Sequence, residues 1–379
     1  MRKILFVICI LLIQNDLISA QNHKKEIIEY LKKEMKEQGI PGLQVAVIKK
    51  NRVLFSESLG IANAEFAVPV TNNTKFSINS IAKIFTSVAI MQLVEQNKLQ
   101  LEKPLSTYLT SVPKDWGHIT IKQLLSHTSG LPDIENSIGD GLISDKGQDS
   151  AWVKVQTLPL QFKSGEKFNY NATNYLLLQK VIEKIENLPF EKSVQLHQLN
   201  IAKMQHTRYA NSYDVIGYKA PTYSFYTLDK TTGEYMKTNR LTELYEDFPT
   251  SFRTDAGVFT SADDMVQWTM ALQNGKFLKN RENIIKMWEP VKLNNGTYDG
   301  FGGVLNSYAL GWPIINRKTH FAASAFGGGR ASVTIYPNDN LSIILFTNLT
   351  GVETYTMTEN ISKFYFTEIN SLNSISTSN

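Results

Sequence analysis

The sequence predicts an α+β fold: an antiparallel sheet built from both chain ends, flanked by helices, with a mostly helical subdomain inserted between its halves. Three observations carry this reading. Apolar runs of strand length stand at residues 42–48 and 53–59, and again at 331–336 and 341–347. Each pair is joined by a polar turn, Lys49–Arg52 in the first and Pro337-Asn338-Asp339-Asn340 in the second. Between the pairs, the strongly apolar segments at 76–94, 174–185 and 261–272 have helical length.

Residues 1–20 pair a basic start (Arg2, Lys3) with an apolar run from Ile4 to Ile13 and a small-residue end at Ser19-Ala20. That is the pattern of a secretory signal peptide cleaved after Ala20, and its export style reads as bacterial, so the mature protein is expected in the periplasm or outside the cell. Its apolar core is too short for a stable anchor, and no later apolar run reaches the length that stable membrane insertion needs. The single cysteine, Cys9, lies inside this segment, so disulfides and thiolate chemistry drop out of the mature chain. Residues 24–38 place Ile27, Ile28, Leu31 and Met35 on one helical stripe, and Gly39 ends it. The run from Phe76 to Val94 is apolar almost all the way round, the mark of a buried helix. Thr120–Leu125 opens a further short helix, residues 134–160 read as long and irregular, and Asn174–Ile185 is again helical. Residues 211–250, rich in Tyr, Thr and charge, read as an insertion forming a lid or rim. Ser261 has the character of a helix cap, residues 352–368 suggest a closing helix, and 369–379 is a flexible tail. With 42% hydrophobic and 20% charged residues and no linker rich in Pro, Gly or Ser, residues 21–368 form one domain with a sizeable core.

Several function classes fall away. The net charge of +4 is spread over dispersed lysines and arginines, which describes solvated faces and no nucleic-acid footprint. No two histidines lie within five residues of each other, so metal-ligand spacing is missing and neither metal nor other cofactor is expected. No Gly-x-Ser-x-Gly elbow is present. Gly300-Phe301-Gly302-Gly303 lacks the strand–helix setting of a nucleotide loop, and Gly327-Gly328-Gly329, just before a strand, reads as a close backbone approach.

One pattern does point to chemistry. Ser80 and Lys83 stand three residues apart at the start of the buried helix, so one helical face carries both. A serine hydroxyl is a poor nucleophile until a neighbouring base activates it, and a partly desolvated lysine is one such base. Ser-x-x-Lys also occurs at Ser111/Lys114 and Ser164/Lys167, but Pro113 and Gly165 break those stretches and no helix follows them. The residues alone leave a second reading open, in which Ser80 caps the helix and Lys83 solvates its edge.

Taken with ITIKQLLSHTSGLPD at 119–133 and EKFNYNATNYLLL at 166–178, the Ser80–Lys83 stretch resembles the serine β-lactamase and penicillin-binding-protein superfamily, in its class C β-lactamase, D-alanyl-D-alanine carboxypeptidase and esterase branch. Ordered matches run through IPGLQVAVI, AKMQHTRYA, DAGVFTSADDM and YALGW to the final hairpin, covering nearly the whole mature chain. The resemblance implies that Ser80 is acylated, that Lys83 takes part in proton transfer, and that the Tyr170 phenol accepts or relays the serine proton. It makes His127 structural. It puts substrate contacts at Asn171, Ala323, Ala325 and Phe326, with the backbone N–H groups of Ser80 and about Phe326 forming an oxyanion hole.

The chain departs from the family pattern twice. Tyr170-Asn171-Ala172 lacks the asparagine of Tyr-x-Asn, leaving Asn171 as its stand-in. Ala323-Ser324-Ala325 occupies the third motif, where the family carries a basic residue that attracts a substrate carboxylate; Lys318, His320 and Arg330 are the nearby candidates to replace it. A lost charge-assisted contact of about 1.5–3 kcal/mol disfavours carboxylate-bearing substrates. Two functions follow as expectations: a serine hydrolase working through a Ser80 acyl-enzyme on a small ester, amide or peptide-like substrate, or a catalytically impaired binding protein for cell-wall peptide or a protein partner.

Overall fold

The computed structural model describes residues 23–135, 147–229 and 235–366. The signal peptide expected at 1–20 and the tail expected at 369–379 lie outside these residues. In chain order, helix α1 (residues 23–38) precedes strands β1 (Gly42–Lys49) and β2 (Arg52–Asn63), the short β3 (Val68–Pro69) and β4 (Phe76–Ser77). A 3₁₀ turn at Asn79–Ile81 leads into α2 (Ala82–Glu95). Helix α3 (Ile121–Leu125) follows, started by a capping box in which Thr120 and Gln123 satisfy each other's backbone N–H groups.

The expectation of irregular chain over 134–160 is corrected by α4 (Gly147–Val155), whose Ala151 and Val155 reach the core; residues 136–146 are outside the described set. Helix α5 (Ala172–Glu186) is capped by Asn171, and α6 (Phe190–Val194) continues through a π-helical turn, Gln195–Leu199, into α7 (Asn200–Ala202). The segment from 211 to 250 holds a twisted hairpin of β6 (Thr222–Leu228) and β7 (Tyr235–Leu244), after the two-residue β5 (Arg208–Tyr209). Next come β8 (Val258–Thr260), α8 (Ala262–Gln273) with Ser261 accepting from Asp264 N at 3.2 Å, and α9 (Arg281–Trp288). Strands β9 (Ser307–Tyr308), β10 (Pro313–Ile315), β11 (Ala322–Gly327), β12 (Ala331–Tyr336) and β13 (Leu341–Thr347) lead to α10 (Thr354–Phe366).

The main sheet has eight strands in the order β3-β2-β1-β13-β12-β11-β10-β9. The first and last long strands pair antiparallel at its centre, Leu43 opposite Thr347 and Ile48 opposite Ser342. Strand alternation sends the two sides of each strand to different layers. Leu43, Val45 and Val47, with Ile343 and Leu345, meet Ile27 and Leu31 of α1 and Met357, Ile361 and Tyr365 of α10. Ala46, Ile48, Ile344 and Phe346 face the other way, into the large core around α2, α5 and α8. Burial on both faces explains why β13 reads as an unbroken apolar run. Helix α2 runs through the middle of this core, buried from Ala82 to Met91. The nucleophile turn at its start is held between β8, through Ile78 N donating to Val258 O at 3.0 Å, and the end of β11. Helices packed on an antiparallel sheet, with a helical insertion between its halves, are the predicted α+β arrangement. Among the described residues no helix is long and apolar enough to cross a membrane.

Candidate active site

Ser80 sits in the 3₁₀ turn and Lys83 in the first turn of α2. No side chain caps either helical segment, so the reading of Ser80 as a helix cap does not describe this turn. Asn79, just before Ser80, has φ of 42°, a left-handed conformation that asparagine tolerates better than most residues. The Arg330 guanidinium holds it, donating to Asn79 Oδ1 at 2.6 Å and to Ser77 O at 3.2 Å. Glu246 accepts from Arg330 at 2.5 Å and from Asn79 Nδ2 at 3.0 Å. At the end of β11 a side chain on Gly327 would come within 2.8 Å of Ser80 N, so glycine there lets the strand lie against the backbone of the nucleophile.

Tyr170 arrives on the segment leading into α5. Its phenol interacts with both Lys83 and Ser80, each of which lowers its pKa. The Lys83 Nζ stands 4.6 Å from the Tyr170 ring centroid and 4.9 Å from that of Tyr175. Its counter-ion is Asp255, whose Oδ1 is 2.5 Å away; both side chains are buried. Burial disfavours the ammonium, yet Asp255 and then Tyr170 hold the Lys83 pKa above its ordinary value. Burial likewise pushes the Asp255 carboxyl up to about 7, against the pull of Lys83. Tyr170 lies above an ordinary phenol because of burial; Lys83 and the hydrogen bonds to Lys83 and Ser80 draw it down, and Asp255 pushes it up.

The pocket in front of Ser80 is lined by Tyr170, Phe301, Tyr308, Gly311, Ala325 and Phe326, with Pro313 at its edge, and its cavity of about 10 Å³ is the size of one water. Phe301 packs edge-on against Phe326, centroids 5.0 Å apart, and against Tyr170 at 5.2 Å.

Ser80, Lys83 and Tyr170 are thus brought together, and Ala325 and Phe326 line the pocket. Two expected substrate contacts are not there. The Asn171 side chain accepts from Asn174 N at 3.3 Å and donates to Leu131 O at 2.7 Å; this buried amide caps α5 and ties down the 131 loop. Ala323, on the same face of β11 as Ala325 but two residues earlier, is fully buried and does not line the pocket. The candidates for a replacement cation are also committed elsewhere or distant: Arg330 binds Glu246, His320 meets Asp339 at 2.8 Å, and Lys318 lies exposed on the turn before β11. His127 is enclosed by the fold, with Nδ1 accepting from Asn171 N at 3.1 Å and its ring 4.4 Å from that of Tyr170. Sequence reasoning missed Asp255, and it missed Phe301 as a pocket wall.

The beta-lactamase family profile matches residues 27–364. The chain belongs to the beta-lactamase family. Protein flp of Staphylococcus aureus (strain MW2) is 24% identical over 343 residues, covering 87% of this chain and 64% of that protein, so the chain spans a little under two thirds of its length. Among solved structures, EstCE1, a hydrolase with promiscuous acyltransferase activity, superposes with a TM-score of 0.74 at 20% identity, covering 92% of this chain and 100% of that one. A class C beta-lactamase in complex with cefoxitin gives 0.71 at 15% identity, covering 92% and 99%.

Proposed function

We propose that the protein is a secreted bacterial serine hydrolase that cleaves an uncharged ester or amide through an acyl-enzyme on Ser80. The single observation that carries the reading is the grouping of Ser80 and Tyr170 on one pocket wall with the Lys83 Nζ 4.6 Å from the Tyr170 ring centroid. In the proposed cycle the Ser80 proton passes to the oxygen of the ionised fraction of Tyr170, which burial keeps small and Lys83 favours, while Oγ bonds the substrate carbonyl carbon and the carbonyl π pair moves onto oxygen. The N–H groups of Ser80 and Phe326 receive that oxyanion. When the adduct collapses, Tyr170 returns the proton to the leaving oxygen or nitrogen as its bond to carbon breaks. Water repeats the sequence to free the acid and restore Ser80.

The substrate class rests on the lining. Among the described residues no lysine, arginine or histidine lines the pocket, and half of its lining residues are aromatic. Such a surface favours a neutral, apolar acyl group over one bearing a carboxylate.

The test is covalent labelling by a fluorophosphonate probe together with turnover of neutral chromogenic esters. The expected result is labelling of the wild type and none of Ser80→Ala, at nearly equal Tm. Equal labelling of the two proteins would refute the reading. A wild type that is neither labelled nor acylated but holds a cell-wall peptide would replace it with the binding-protein alternative.

A further inference from the structure

The third member of the buried charge cluster has no counterpart in the serine–lysine–tyrosine chemistry just described. Asp255 lies in the segment after Phe252 and before β8, and three bonds fix it there. Thr254 Oγ1 donates to Tyr175 O at 3.0 Å, Thr86 Oγ1 donates to Thr254 O at 2.9 Å, and Asp255 N donates to Phe252 O at 3.0 Å. The carboxylate is thereby wedged between α2, which carries Lys83, and α5, which carries Tyr175. It is fully buried, and among the described residues the Lys83 ammonium is its only partner. Lys83 in turn has its charge met by Asp255 at 2.5 Å, and the rings of Tyr170 and Tyr175 stand 4.6 and 4.9 Å from its Nζ. A buried ammonium with all its partners in place has nowhere to swing and little reason to release a proton.

We propose that Asp255 is a positioning residue that fixes Lys83 as a permanent ammonium aimed at the Tyr170 oxygen, so that Tyr170 and not Lys83 takes the proton from Ser80. The inference rests on the serine-hydrolase reading above. It divides the work among the three groups. Lys83 stabilises the phenolate by charge and hydrogen bond, Tyr170 moves the proton, and Asp255 sets how strongly the ammonium is felt. A carboxylate this close screens the ammonium from the phenol, so it also sets the pH at which Tyr170 becomes competent.

The other ionisable groups around this centre are His127 beyond α3, Asp133 and Glu135 on the following loop, Tyr175 of α5 and Tyr308 of β9. His127 stays neutral because burial and then Lys83 lower its pKa, and burial keeps Tyr175 and Tyr308 as phenols. Asp133 and Glu135 interact with both Lys83 and Asp255 and are the same in the wild type and in the variant tested.

The experiment is the pH dependence of Ser80 labelling by a fluorophosphonate in the full chain, compared with Asp255→Asn. Removing the negative charge exposes the phenol to an unscreened cation. The acid limb should therefore move to lower pH, most of all where the wild-type Asp255 is still ionised, above about pH 7. Superimposed limbs, or a shift to higher pH, overturn the proposal while leaving the hydrolase reading intact. A structural role alone would change Tm and leave the limb in place. Should Asp255→Asn not fold, the wild type decides by NMR of ¹³Cε-labelled lysine. A Lys83 resonance that stays at its ammonium position through the acid limb supports the assignment, and one that titrates with the limb refutes it. Absence of labelling in the wild type defeats the hydrolase reading; lysine NMR of the wild type against Asp255→Asn still reads whether Asp255 holds Lys83 charged.

Discussion

Arg330 reaches back from the turn after β11 to Asn79, 2.6 Å away, and Asn79 is the residue immediately before Ser80. The strained backbone that presents the candidate nucleophile is therefore held by a cation from the far end of the chain, and that cation is held by Glu246 from the 211–250 insertion. A segment read from sequence as a lid or rim supplies a brace under the nucleophile turn.

The two partners of that brace differ in exposure: the Arg330 side chain is 1% exposed and that of Glu246 is 19%. Glu246→Ala leaves a buried guanidinium without its counter-ion, and we expect a loss of about 3 kcal/mol. Arg330→Ala also removes the bonds to Asn79 and Ser77 and empties the space of a fully buried side chain, and should cost more. Urea unfolding of the two variants checks the order; equal losses would contradict it.

Phe301 is 40% exposed, yet it walls the pocket through contacts with Tyr170 and Phe326. It stands between Gly300 and the pair Gly302-Gly303, whose φ values are 83° and 55°. Phe301→Ala should cost about 1 kcal/mol for the lost aromatic contacts. It should also speed acylation by esters with bulky acyl groups more than by acetyl esters. Rates across an acyl-chain series give the readout, and an unchanged preference would mean that another wall sets the size limit.

His127 is buried and its pKa is lowered well below the ordinary imidazole value, first by burial and then by Lys83. Above about pH 6.5 the folded and unfolded states are both neutral at this position. Below it the unfolded chain takes up a proton that the folded state refuses. Stability should thus fall on acidification, by up to roughly 1.4 kcal/mol per pH unit. His127→Asn, which suits the φ of 56° at this position, should be less stable at neutral pH and lack that acid-side slope. Thermal melts of both proteins over the acid range measure the difference.

Much of the fold was readable because its signals are local. The closing hairpin shows two apolar runs around Pro337-Asn338-Asp339-Asn340, and the strands occupy Ala331–Tyr336 and Leu341–Thr347 as expected. The Ser80–Lys83 relation is likewise local, a single turn of chain. What escaped were relations set by packing. Asp255 stands in the small-residue run Thr254-Asp255-Ala256-Gly257, and nothing within several residues points to a lysine on α2. Asn171 misled in the other direction: next to Tyr170 it resembled a substrate contact, but an asparagine three residues before a helical N–H is also a good cap, and capping prevailed. Helix α9 carried a signal that went unused, the capping Asn280 followed by Ile284, Met287 and Trp288 on one face.

The pairing of Leu43 with Thr347 also governs the order of assembly. On the ribosome, the opening strand emerges long before its mate and must wait, one edge bare, until nearly all of the polypeptide has been made. The turn bearing Ser80 waits with it, because the glycine that settles against that turn belongs to the same late segment. Synthesis halted ahead of residue 322 would leave a body of helices lacking the strand that completes its reactive centre.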